Sequence, residues 1–124
     1  MANPGLFKTF TAESAVSAYT IVKHGTADTN VVPAAASTDA LLGVCGMVAG
    51  DLGKRVDIVL DDIAEVIYGG TVTRGDWLTS DANGKAITAA PGAGVNANVI
   101  GRAMVSGVSG DIGTVLLALG RIQG

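Results

Sequence analysis

The sequence predicts an all-β fold, a small β-barrel or β-sandwich-like domain with two similar hairpin units, and three observations carry that expectation. First, from residue 41 onward short apolar runs rich in Val and Ile are separated by Gly, Asp and Asn, the pattern of strands joined by turns. Second, in "RVDIVL" Val56, Ile58 and Leu60 alternate with Arg55 and Asp57, the period of two of a half-buried strand. Third, the chain restates itself. "LGVCGMVAGDLGKRVDIVL" at residues 42–60 is echoed by "IGRAMVSGVSGDIGTVLLAL" at 100–119, with the corner glycines Gly50 and Gly110 60 positions apart.

Taken in order, the elements begin with residues 1–18, "MANPGLFKTFTAESAVSA", which lack alternation and carry both phenylalanines, Phe7 and Phe10. They read as either a disordered terminus or an extended N-terminal arm that lies on a neighbour through those rings, the arm being the expectation, ahead of a single β-rich domain at 19–124. "IVKH" ends a strand at His24. Residues 26–40 read as a long loop of small and polar residues.

"AEVIYGG" and "NVIGRAMV" read as strands, with Gly101 at a bulge or a close backbone approach. "TVLLAL" at 114–119 is apolar on both faces and belongs inside a sheet or at a subunit contact. Between them lies "VTRGDWLTSDANGKAIT", where Arg74-Gly75-Asp76 spells a cell-adhesion tripeptide. Gly75-Asp76 precedes a strand just as Gly50-Asp51 and Gly110-Asp111 do, so a corner is the simpler reading. Asn83-Gly84 suits a tight hairpin that needs positive φ, and residues 89–98 form a second loop.

Composition narrows the function. The 124 residues are 48% hydrophobic but only 15% charged and 4% aromatic, with 18 glycines and a net charge of −3. The eight basic residues are scattered except for Lys54-Arg55, so there is no basic patch for nucleic acid or an anionic membrane. No apolar run reaches the length of a membrane span, and the N-terminus lacks the order of a signal peptide, so a soluble protein made in the cytoplasm is expected. The single cysteine, Cys45, forbids an intrachain disulfide and any CxxC metal knuckle, and its apolar neighbours predict a buried, inert thiol.

The residues for catalysis are sparse. His24 is the lone histidine, no GxSxG elbow is present, and the glycines of "GAGVNANVIG" are followed by neither a helix nor Gly-Lys-Ser/Thr. Asp61, Asp62 and Glu65 form the densest acidic cluster, but "LDDIAE" reads as a turn between strands. No enzyme, metal or cofactor is expected. Trp77 is placed as a core or interface anchor. A ligand- or glycan-binding module is the alternative class, and it requires Trp77, Tyr19 or Tyr68 exposed on one patch. A chain this apolar and weakly charged is expected to cover part of its surface with other copies or a larger partner.

Three stretches, "LLGVCGMVAGDLGKRVDIVL", "GTVTRGDWLTSDANGKAITAA" and "VIGRAMVSGVSGDIGTVLLAL", resemble in order and spacing the small capsid cement or head decoration proteins of tailed bacteriophages. The matching positions are Gly43-Val44, Gly50-Asp51-Leu52-Gly53, Gly75-Asp76, Leu78, Asp81, Gly84-Lys85, Ile100-Gly101, Ala103 and Gly110-Asp111, within residues 19–120. The resemblance implies a non-enzymatic virion protein on the outer face of the expanded capsid. It implies contact with the major capsid protein and trimers at three-fold and quasi-three-fold positions. Phe7, Phe10 and Trp77 are the candidate contact residues.

Overall fold

The computed structural model describes residues 7–124, and every regular element in them is a strand. The first five are β1 (Phe7–Ala12), β2 (Ile21–His24), β3 (Asn30–Pro33), β4 (Leu41–Cys45) and β5 (Arg55–Val59). They close into a barrel in the order β1-β3-β2-β4-β5. The next five are β6 (Ile63–Ile67), β7 (Trp77–Ser80), β8 (Ala86–Thr88), β9 (Asn96–Ala103) and β10 (Ile112–Gln123), forming a sheet in the order β6-β10-β9-β7-β8. Its two edges are tied by a parallel bridge between Tyr68 and Ala86, with the Gly69 amide donating to the Ala86 carbonyl at 2.8 Å.

Replacing each strand of the first unit by the strand five places later reproduces the second unit. The match extends to the residue. Phe7–Val59, Lys8–Ile58, Thr9–Asp57, Phe10–Val56 and Thr11–Arg55 pair across β1 and β5; Ile63–Leu116, Ala64–Val115, Glu65–Thr114, Val66–Gly113 and Ile67–Ile112 pair across β6 and β10. The parallel closure of the barrel, Ala12 against Val31, has its counterpart in Tyr68 against Ala86. Val16 bridges Gly50 as Val72 bridges Gly107. The molecule is thus one five-stranded motif used twice.

This register corrects the alignment read from the sequence. Gly50 corresponds to Gly107, not Gly110, an offset of 57 that brings "MVAG" onto "MVSG". The counterpart of Gly110 is Gly53, and both hold positive φ, +92° and +81°. The Gly-Asp spelling misled because both turns are closed by one backbone bond at differently spelled residues: the Lys54 amide donates to the Asp51 carbonyl at 2.9 Å, and the Asp111 amide to the Val108 carbonyl at 3.0 Å. The second turn adds the Asp111 carboxylate, which accepts the Val108 amide at 2.9 Å.

The barrel interior holds Phe10, Ala12, Val16, Val22, Val31, Cys45, Val56 and Ile58. A second cluster is shared. Ile21, Ala34, Leu41, Val44 and Val59 of the first unit pack with Val66, Tyr68, Leu78, Ile100, Val115 and Leu117 of the second. Each such aliphatic contributes about 1.5–3 kcal/mol of transfer free energy. Backbone bonds stitch the junction as well: the Ile21 amide donates to the Gly84 carbonyl at 2.8 Å and the Ile67 amide to the Tyr19 carbonyl at 2.9 Å. Asn98 reaches the carbonyls of Thr38 and Asp39 at 3.2 and 2.8 Å.

Within the segment expected as an arm, Phe7–Ala12 form β1, a full member of the barrel, and Val16 bridges Gly50; residues 1–6 of that expectation lie outside the described residues. The alternation was hidden because the inward positions carry Phe10 and Ala12 among threonines and a lysine. The expected loop at 26–40 likewise contains β3, and the loop at 89–98 ends where β9 begins at Asn96.

Candidate functional site

Among the described residues, His24, Cys45 and the acidic stretch from Asp61 to Glu65 lie in different surroundings. His24 is exposed at the end of β2, with the edge of its ring toward Phe10 at 6.1 Å and 73°. Cys45 is fully buried; burial, reinforced by the negative charge of Asp57, pushes its thiol up to about 11. Asp61 accepts the Asp62 amide at 2.8 Å and Asp62 sits at φ +67°, so "LDDIAE" is a turn feeding β6. Among the described residues no group of three His, Cys, Asp or Glu side chains stands close enough to hold a metal.

Arg74-Gly75-Asp76 is a corner. Gly75 holds φ +93°, and the Asp76 carboxylate accepts both the Thr73 amide and the Thr88 hydroxyl at 3.0 Å. The acidic group that an adhesion motif must offer is already committed to the turn.

The three aromatics named for ligand stacking do not share a patch. Tyr68 is fully buried, its hydroxyl donating to the Val105 carbonyl at 2.7 Å; burial, then the nearby charge of Asp111, raises its pKa. Trp77 is half-buried on β7 beneath the Arg102 guanidinium, 4.5 Å from the ring centroid. Tyr19 lies in the first unit, lining a groove of about 250 Å³.

That groove is lined mainly by apolar side chains. Phe7, Met47, Val48, Val59 and Ile63 line it, and among the described residues Asp57 and Glu65 are its charged lining side chains. Phe7, one of the expected contact residues, is exposed at its edge, while Phe10, another, is buried in the barrel core. Met47 and Val48 occupy the β4–β5 corner, and Met104 and Val105 the same corner of the second unit, between β9 and β10; all four are exposed. Sequence reasoning passed over these pairs. The signal that finds them is the repeated Met-Val-small-Gly at an offset of 57, visible once the echo is aligned on it rather than on Gly-Asp.

The outer face of the second sheet carries a transverse row, Ile63, Leu116, Arg102 and Trp77, each the partner of the next across β6, β10, β9 and β7. The equivalent row in the first unit is Phe7, Val59, Val44 and Ile21. There the last three are buried. Trp77 therefore occupies the place that Ile21 fills in the covered row.

No protein-family model matches the chain, and no curated protein matches it. Among solved structures, the fold is similar to the crystal structure of the N base of head fiber gp8.5 of bacteriophage phi29, with a TM-score of 0.70 and 22% identity over 96% of this chain and 98% of that one.

Proposed function

We propose that this chain is a structural protein of a phage virion that binds the outer surface of the expanded icosahedral head and stabilises it by bridging neighbouring major capsid subunits. The observation that carries this reading is the likeness of fold to a phage head fiber base, which runs the length of both chains. The duplicated fold with exposed apolar corners supports it, because a protein that works by adhesion needs surface rather than a cleft. In this reading the protein is made in the host cytoplasm and sits on the virion as trimers at three-fold and quasi-three-fold positions. Many modest contacts repeated over a lattice then reinforce the shell by avidity.

Co-sedimentation of the purified protein with bare expanded heads and, in parallel, with unexpanded procapsids of the encoding phage tests this. Saturable binding to expanded heads alone is the expected result. Binding to neither shell overturns the reading. Sedimentation velocity of the free protein tests the trimer, which has three times the 12.3 kDa mass of the chain.

A further inference from the structure

The two units have diverged inside while keeping one feature outside. Phe10 of the first core is replaced by Val66 in the second, Ala12 by Tyr68 and Ile21 by Trp77, as the matching strand registers show. Yet the exposed corner is Met-Val in both, with Met47 60% and Val48 74% accessible, and Met104 46% and Val105 42%. Four large apolar side chains in water gain nothing for the fold of this chain, so their retention points to a partner.

Each corner is also held firmly. The Val48 carbonyl accepts the Cys45 thiol at 3.5 Å, and the equivalent Val105 carbonyl accepts the Tyr68 hydroxyl at 2.7 Å. Different core residues thus anchor the same carbonyl, and the bridges Val16–Gly50 and Val72–Gly107 close each corner from the far side. The neighbouring position is apolar twice as well. Phe7 begins β1 beside the first corner, and its counterpart Ile63 begins β6. Ile63 also lines the groove at the first corner.

We infer that the two corners are two equivalent seats for one repeated partner element: an apolar segment presented by each of two adjacent shell subunits. A single chain then spans two subunits, using Met47 and Val48 on one and Met104 and Val105 on the other. This rests on the capsid reading above and supplies its contact residues. A partner that offered its segment once would need only one corner, whereas a lattice offers it at every repeat.

The test is titration of the protein against bare expanded heads, with three variants: Met47→Ser with Val48→Ser, Met104→Ser with Val105→Ser, and all four together. The substituted side chains are exposed, and melting curves verify that each variant is folded. Loss of either corner is expected to weaken binding on the order of 10²-fold, because the second contact is no longer intramolecular. Loss of both is expected to abolish saturable binding. If the unaltered chain binds and either single-corner variant keeps its affinity to within threefold, the two-seat inference fails alone. If the unaltered chain does not bind, the capsid reading fails and takes the inference with it.

Discussion

Tyr19 and Gly75 occupy the same place in the two units and share a left-handed backbone, with φ of +62° and +93°. Each donates its amide to the neighbouring strand, Tyr19 to the Cys45 carbonyl at 3.1 Å and Gly75 to the Ala103 carbonyl at 2.7 Å. A bulky residue rarely accepts that conformation, so the corner's geometry is imposed by the strands it joins rather than by its own preference.

Gly75→Ala isolates that cost. A Cβ at Gly75 meets no atom within 4 Å, so only backbone strain is added. The expected loss is about 1–2 kcal/mol, or roughly 4–8 °C in Tm, read by thermal and urea unfolding. An unchanged Tm would mean that the corner relaxes to another conformation.

Gly43 and Gly101 are equivalent in register and face equivalent obstacles: a Cβ at Gly43 collides with the Val59 carbonyl, and one at Gly101 with the Leu116 carbonyl. Backbone cannot yield as a flexible side chain does. Gly43→Ala and Gly101→Ala are each expected to cost about 2–4 kcal/mol, clearly more than Gly75→Ala, in the same unfolding assay.

Tyr68→Phe removes the hydroxyl that the Val105 carbonyl accepts and keeps the ring over Gly107 and Gly113. The expected loss is about 1–2 kcal/mol. Tyr68→Ala also empties the core and is expected to cost about 3–5 kcal/mol. The ratio of the two, from denaturant titrations, separates the anchoring bond from the packing.

Cys45 makes stability depend on alkaline pH. Its thiol is pushed up to about 11 by burial and by Asp57, from an ordinary value of 9.0. As pH rises through 9 the unfolded chain loses this proton first, so the unfolded state is favoured. The contribution is whole below pH 9 and is lost progressively toward pH 11. Tyr68, also raised, adds to the same direction. Urea midpoints measured from pH 8 to pH 11 are expected to fall more steeply for the unaltered chain than for Cys45→Ala. At pH 8 a thiol reagent should react with Cys45 only as fast as the chain opens.

The strands β5, β6, β9 and β10 were legible because Val- and Ile-rich runs between turn residues survive there: they overlap "RVDIVL", "AEVIYGG", "NVIGRAMV" and "TVLLAL". The first half was harder. β1 interleaves Phe10 and Ala12 with Lys8, Thr9 and Thr11, and β3 spans only four residues ending in Pro33, so neither stands out from a polar context. Their strand character comes from partners: β5, distant in sequence, for β1, and the neighbouring β2 together with β1 for β3.

The chain's order of residues already dictated an all-β protein with a repeated strand-corner-strand unit, because period-two alternation and glycine-bearing turns are local properties that need no partner to be read. Only the tertiary structure decided that the repeat is a whole five-stranded motif whose corners lie 57 positions apart, that Phe10 is core while Phe7 is surface, and that Met47-Val48 and Met104-Val105 are the paired outward corners. Those facts depend on hydrogen-bond register between distant strands, and a shift of one residue exchanges the buried and exposed faces of a strand.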